Sequence, residues 1–240
     1  MTGFLKAGII AAGEGSRLKS EGVSIPKPLV PIEGIPLIER LLKTFSRCGI
    51  AEVTCIINEY SLEVKEFVDS RDFGIPIRIV VKTTPSSMHS LFALSPYLAD
   101  ARFLLSTVDS IFHEAEFIRF LEHGKSQPRI DGLLAVTGFV DDENPLYVAL
   151  DAANRIQGLE KSEGKSWVTG GLYVLSPRIF QEMDSALARG VERLRNFVGH
   201  LLHQGYVLEG FPFSKIVDVD HVQDVATAEN LLRTNQPWQD

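Results

Sequence analysis

The chain opens with a short apolar run over 6–12 that stops at a glycine pair, Gly13 and Gly15. A run of that kind reads as a buried strand feeding a tight loop. Strand and helix signals then alternate. Strands are expected over 53–57, 77–81 and 103–108. Helices are expected from Leu37 to a Gly49 stop, after Ser61, over 88–98 and from Glu114 to a Gly124 stop. Such alternation builds βαβ units, a mostly parallel sheet and helices on both faces. Ligands of such sheets bind at the carboxyl ends of strands, so the loops after Ala12, Val81, Val108 and Val219 are the places to look.

The later part reads as more strand pairs, over 133–136, 147–150, 168–175, 206–208 and 215–219, with helices after Ser176-Pro177, over 194–203 and over 222–232. This suggests an antiparallel insertion covering the site. No Gly-, Ser- or Pro-rich linker divides the 240 residues, so residues 1–240 are expected to form one domain. Hydrophobic residues at 45% and charged residues at 23% exclude disorder and coiled coil. No apolar run approaches the roughly 18 residues of a membrane span.

With 24 Lys and Arg against 31 Asp and Glu, the net charge is −7. That argues against nucleic acid or an anionic membrane as the main partner, though not against a small anion in a local pocket. Cys48 and Cys55 fit neither a disulfide framework nor a zinc site. The N-terminus shows one Lys and no cleavable signal pattern, so a cytoplasmic protein is expected.

Two positions stand out chemically. Gly13 and Gly15 either make a turn or let backbone N–H groups cradle a phosphate, with Arg17 adding a planar charge. Ten residues on, Lys27 stands between Pro26 and Pro28, a braced backbone that holds a lysine in place.

The stretch IIAAGEGSRLKSEGVSIPKPLVPIEGIPLIERLL resembles the opening of the sugar-phosphate nucleotidylyltransferases. These begin with an apolar strand, A-A-G-x-G-[ST]-R-[LM], a P-K-[PA]-L-x-P-[IV] segment and G-x-P-[LM]-[IL]. Ser20-Glu21-Gly22 stands where many relatives have P-x-T. The resemblance implies a Rossmann-like nucleotidyltransferase fold. The nucleotide-binding part would occupy about 1–110, and a small antiparallel acceptor-binding lobe about 130–220.

It also implies a reaction. A phosphate oxygen of an acceptor attacks the α-phosphorus of a nucleoside triphosphate, and pyrophosphate leaves. Arg17 and Lys27 would be the catalytic cations, with Ala12, Gly13, Gly15 and Ser16 around the triphosphate. Mg²⁺ would be the cofactor, held by Asp109 after the fourth expected strand and by Asp220 in the Val217–Asp224 segment. Asp218 is the fallback ligand, since it alternates onto the same face as Asp220. Asp220 with Gln223 also reads as a capping pair for the last helix. Asp109 and Asp220 repel each other without a cation, so Asp→Asn at either is expected to leave folding intact.

Ser86 and Ser87 either meet the base or cap the next helix, and the S-x-x-S-L form is closer to cytidylyltransferases, favouring CTP or UTP. Glu160, Lys161, Thr169 and Gly171 resemble the acceptor-binding E-K and T-G-[LI]-Y segments. The acceptor would be a sugar phosphate or else a phospho-alcohol such as phosphocholine or a polyol phosphate. The other reading is a non-catalytic nucleotide-binding regulator. An NAD enzyme is disfavoured because Leu18 occupies the third glycine position. A glycosyltransferase is disfavoured because it lacks the P-K-P-L segment. The last expected helix ends about eight residues before the end of the sequence, so the β-helical extension of some relatives is not expected here.

Overall fold

The computed structural model describes residues 5–140, 145–160 and 166–234. The elements of its first half are β1 (Lys6–Ala11), α1 (Ser16–Ser20), a 3₁₀ turn (Lys27–Leu29), β2 (Pro31–Ile32), β3 (Ile35–Pro36), α2 (Leu37–Arg47), β4 (Glu52–Ile57), α3 (Leu62–Asp69), β5 (Ile77–Val81), α4 (Ser87–Leu98) and β6 (Phe103–Thr107). There follow β7 (Ser110–Phe112), α5 (Glu114–Ser126), β8 (Gly132–Thr137), β9 (Tyr147–Leu150), β10 (Ile156–Gly158) and β11 (Trp167–Leu175). A 3₁₀ turn (Pro177–Glu182), α6 (Met183–Ala188), α7 (Leu194–His203), β12 (Leu208–Phe213), β13 (Ile216–Asp218) and α8 (Val222–Arg233) complete it.

β1 is the middle of the parallel part. β4 pairs with it in parallel on one side and β6 on the other, with β5 beyond β4. β11 then runs antiparallel to β6 and carries β8 and β9 along its edges, and β12 extends the sheet beside β8. All five residues of β1 from Ala7 onward are buried, the pattern of a strand covered on both faces. Ile38, Leu42 and Phe45 of α2, Val64 of α3 and Phe117 of α5 cover one face. Met88, Leu91 and Leu94 of α4 and Phe197 of α7 cover the other. Burying each such side chain contributes about 1.5–3 kcal/mol.

A third, smaller core positions the functional groups. Leu18, Val30, Ile32 and Leu37 pack with Ile111 of β7, Val217 and Val219 around β13, and Ala228 and Leu231 of α8. β7 and β13 pair antiparallel as a separate ribbon, Ser110 opposite Asp218. This layer joins the loop carrying Lys27 to the segment carrying Asp220.

Most elements lie where the sequence places them, with three corrections. α5 does not stop at Gly124. That glycine sits inside the helix because a β-carbon there would come within 2.9 Å of Val174. The expected strand over 206–208 instead runs from Leu208 to Phe213, through Pro212. Proline argues against a central strand, and β12 accommodates it as an end strand whose one strand partner among the described residues is β8. Ser176 does accept the N–H of Arg178 at 3.3 Å, but it opens a 3₁₀ turn before α6 rather than one helix.

Candidate active site

Downstream of β1 the backbone turns at Gly15, with φ +62°, and α1 follows. A β-carbon at Gly15 would lie 3.2 Å from Cβ of Lys27. Glycine is therefore required both by conformation and by the approach of the lysine loop. Gly13 has nothing within 4 Å of the corresponding position, so no protein atom demands a glycine there. The loop is braced from below. Buried Asn58, after β4, donates its side-chain amide to the carbonyls of Ala12 and Gly13, each at 3.3 Å.

Lys27 occupies a 3₁₀ turn closed by the N–H of Leu29 on Pro26 O (2.8 Å) and of Val30 on Lys27 O (3.0 Å). The expected bracing is present. The Lys27 ammonium donates to Asp109 Oδ2 and to Asp220 Oδ1, each at 2.5 Å. Arg17 donates to Asp220 Oδ2 at 2.7 Å. Only 10% of the Lys27 side chain and 20% of that of Asp109 remain exposed. The four groups assembled here span 203 positions of sequence.

Electrostatics follows from this geometry. Burial pulls the Lys27 ammonium down, but Asp109 and Asp220 outweigh it and hold the group above the ordinary lysine range. Burial pushes the Asp109 carboxyl up, and Lys27 reverses this to a net lowering. Asp218 differs. Burial and then repulsion from Asp109 push its carboxyl up to about 7, although Ser110 Oγ donates to it at 2.9 Å. The two aspartates of the segment thus have separate surroundings, Asp220 facing cations and Asp218 facing a hydroxyl. The gap between Asp109 and Asp220 is filled by the Lys27 ammonium. The expectation of bare carboxylate repulsion is therefore corrected.

Two cavities meet at this cluster. One, of about 370 Å³, is lined by Gly13, Gly15, Ser16, Arg17 and Lys27, together with Ala11, Ser87, Thr107, Asp109 and Asp220. The second, of about 180 Å³, shares Ser87, Thr107, Asp109 and Asp220, and adds Thr169, Gly171, Tyr173, Arg195 and Asp218. A bulge in β11 shapes the second. Its register against β8 shifts between Thr169 and Tyr173, and Gly171 adopts φ +73°. A β-carbon at Gly171 would collide with the hydroxyls of Thr107 and Ser110, and one at Gly170 would collide with Ile216. The close approach of these glycines is thus to protein side chains.

The sequence-derived residues divide accordingly. Arg17, Lys27, Asp109 and Asp220 come together, with Gly13, Gly15 and Ser16 around the first cavity and Ala12 held by Asn58 behind it. Thr169 and Gly171 line the second. Glu160 is exposed beyond β10 and lines neither cavity. Lys161 lies outside the described residues. Ser86 and Ser87 do not cap α4 through their side chains; both hydroxyls bond to the chain at 193–194. Asp220 and Gln223 are not the capping pair of α8 either. The Asp224 carboxylate accepts the N–H groups of Asp220 (2.9 Å) and His221 (2.6 Å). Glu21, in the departure from P-x-T, accepts the N–H of Val222 at 2.7 Å and meets His221 Nδ1 at 2.5 Å, tying α1 to the start of α8.

Sequence reasoning did not single out Asn58, Thr107, Ser110, Tyr173 or Arg195. Position at or after the end of a strand could have flagged Asn58 and Thr107; Tyr173 is brought in by the bulge, Ser110 by the β7–β13 ribbon and Arg195 by the turn before α7, none of which carries a local signal.

Asp109 and Asp220 converge on the Lys27 ammonium, and a pair of carboxylates so placed would suit a hard divalent cation when that ammonium turns to a phosphate. Mg²⁺ commonly takes one or two carboxylates and fills its shell with water and substrate phosphates. Among the described residues no group of three or more His, Cys, Asp or Glu side chains is arranged to hold a metal by itself. The donor set fits a cation completed by substrate.

Residues 7–198 match the MobA-like NTP transferase domain. Over 245 residues the chain is 24% identical to the low-salt glycan biosynthesis nucleotidyltransferase Agl11 of Haloferax volcanii, covering 97% of this chain and 65% of that protein. It is 26% identical over 241 residues to the bifunctional IPC transferase and DIPP synthase of Archaeoglobus fulgidus, covering 97% of this chain and 44% of that protein. The chain thus spans less than two thirds of the length of these curated relatives. Its fold is similar to that of the inositol-1-phosphate CTP transferase from T. maritima, with a TM-score of 0.81, 20% identity and 98% of each chain covered. No helix among the described residues is long and apolar enough to cross a membrane. With four fifths of its length matched by the domain, the chain is a member of the MobA-like NTP transferase family.

Proposed function

We propose that the chain transfers a nucleoside monophosphate from CTP or UTP to the phosphate of a sugar or polyol, releasing pyrophosphate. The observation that carries this is the Lys27 ammonium, in the lining of the larger cavity, paired with Asp109 and Asp220, which line both cavities. One cavity has the glycine loop and Arg17 for a triphosphate. The other has room for a small acceptor. The acceptor's phosphate oxygen forms a bond to the α-phosphorus, and the bond from that phosphorus to the β-phosphate oxygen breaks. An ionised phosphate needs no general base, so the work of the protein is positioning and charge stabilisation.

Lys27 neutralises charge at the α-phosphate, where a fixed, buried cation acts more strongly than in water. Arg17 holds the leaving pyrophosphate side. Asp109 and Asp220 would hold Mg²⁺, which supplies further neutralisation of the phosphates when bound. The names of similar proteins, a glycan biosynthesis nucleotidyltransferase and an inositol-1-phosphate CTP transferase, favour a phosphorylated sugar or cyclitol. The T. maritima structure's name and the IPC transferase relative lend the polyol phosphate its support.

The deciding measurement is pyrophosphate release with Mg²⁺. CTP, UTP, dTTP, ATP and GTP would each be paired with glucose 1-phosphate, inositol 1-phosphate and phosphocholine. Release with CTP or UTP and one of the first two acceptors is expected. Release only with a purine triphosphate removes the pyrimidine assignment. Tight nucleotide binding with no release from any pair supports the regulator instead.

A further inference from the structure

Ser86 and Ser87 stand at the start of α4, where sequence reasoning would have them meet the nucleotide base. Their hydroxyls act elsewhere. Ser86 Oγ accepts the N–H of Arg193 at 3.1 Å, and Ser87 Oγ accepts the N–H of Leu194 at 2.9 Å, across 107 positions of sequence. Between them Arg193 adopts φ 61° and ψ 144°, a conformation that a residue with a β-carbon keeps only when its neighbours enforce it. The two serines are that enforcement. α7 begins at Leu194, and its second residue, Arg195, lines the smaller cavity.

The charges of that cavity give Arg195 its meaning. Asp109, Asp218 and Asp220 all face it, and Arg195 is the one cationic side chain among its described lining residues. A phosphorylated acceptor entering this chamber meets three carboxylates. It needs a cation of its own, since Lys27 lines the other cavity. Arginine offers a planar fork that takes two phosphate oxygens at once. Its charge already acts on the buried hydroxyl of Tyr173 in the same chamber.

We infer that Arg195 binds the acceptor's phosphate, and that Ser86 and Ser87 are positioning residues that hold the strained Arg193 turn and so aim Arg195 into the chamber. This rests on the nucleotidyltransferase reading above. It gives the two serine hydroxyls a role on the acceptor side, although Ser87 lines both cavities: they set acceptor affinity through Arg195.

The test separates the two substrates. Wild type, Arg195→Ala, Arg195→Lys, Ser87→Ala and Ser87→Thr are assayed for KM of the triphosphate and of whichever of glucose 1-phosphate, inositol 1-phosphate and phosphocholine supports turnover. Binding of inorganic phosphate and of CTP, without turnover, is followed in parallel by calorimetry. Arg195→Ala should raise the acceptor KM at least thirtyfold and weaken inorganic phosphate binding, with the triphosphate KM within twofold. Arg195→Lys should recover part of that loss. Ser87→Ala should raise the acceptor KM three- to tenfold, and Ser87→Thr, which keeps the hydroxyl, should restore it.

An unchanged acceptor KM in Arg195→Ala overturns the assignment even if wild type turns over. A rise in triphosphate KM in Ser87→Ala returns that serine to the nucleotide. If wild type releases no pyrophosphate, the transferase reading fails by itself. Phosphate binding then still decides: loss of it in Arg195→Ala upholds Arg195 as an anion anchor, and its persistence or its absence from wild type overturns it.

Discussion

The two cavities share a wall but are built on opposite plans. The larger draws most of its cationic and glycine lining from one stretch, residues 11–28, with Asp109 and Asp220 arriving at its rim. The smaller takes one to three residues each from α4, β6, β11, α7 and the β13 region. In the first, a strand end, a glycine at positive φ and a proline-braced turn set the geometry within a few residues. In the second, a bulge in β11 and a strained turn before α7 set it, each enforced by residues far away in sequence. The local site should respond to substitution mainly in the rate of the chemical step, the dispersed one mainly in acceptor affinity.

The largest effect is expected at Lys27, which serves the local site. Lys27→Ala should lower kcat by about 10³-fold, because the cation paired with the two shared carboxylates is lost. It should also destabilise the metal-free protein by about 3 kcal/mol, since it leaves two half-buried carboxylates without their partner. Added Mg²⁺ should recover much of that stability but not the rate. Denaturant melts with and without Mg²⁺, beside steady-state kinetics, check both parts. A near-normal kcat would remove Lys27 from the chemistry and erase the contrast between the cavities.

Asp220→Asn comes next and tests the wall itself. Asp224 rather than Asp220 accepts the N–H groups at the start of α8, so the substitution leaves that capping arrangement in place. An asparagine oxygen can still accept from Lys27 or Arg17, and stability should stay within about 1 kcal/mol of wild type. Activity should fall by about 10²-fold or more, and the Mg²⁺ concentration for half activity should rise. Full activity at limiting Mg²⁺ would move the ligand role to Asp218, whose raised carboxyl pKa makes it the weaker candidate in the metal-free protein.

What the sequence reveals follows the same divide. The parallel strands β1, β4, β5 and β6 are legible because short, mostly apolar runs alternate with amphipathic helices, buried in β1, β4 and β6 and half-exposed in the edge strand β5. Arg17 and Lys27 are legible because their spacing lies within one short motif. Asp109 is legible from its place after a strand. β7 is hidden, since three residues after a turn carry no periodicity, and with it the Ser110–Asp218 contact is hidden. Arg195 is hidden because only the serine contacts across 107 positions place it. Ser86 and Ser87 were visible as polar residues before a helix, but their partners were not.

The smallest effects separate the two glycines of the loop. Gly15→Ala places a β-carbon at φ +62° and 3.2 Å from Cβ of Lys27. The left-handed conformation alone costs about 1–2 kcal/mol in a residue with a β-carbon. The contact should also displace the lysine turn and lower kcat several-fold. Gly13→Ala meets nothing within 4 Å, and Gly13 is not among the positive-φ glycines. Its stability should therefore be unchanged or slightly improved, because alanine has fewer unfolded conformations to lose. Its β-carbon would instead lie where a phosphate must approach the backbone, so the triphosphate KM should rise about tenfold with kcat little changed. Thermal melts and a two-substrate kinetic series on both variants check this. If Gly13→Ala binds the triphosphate as tightly as wild type, the phosphates do not reach Gly13. The cradle then narrows to Gly15, Ser16 and Arg17, and the first cavity owes its glycine pair to folding as much as to ligand.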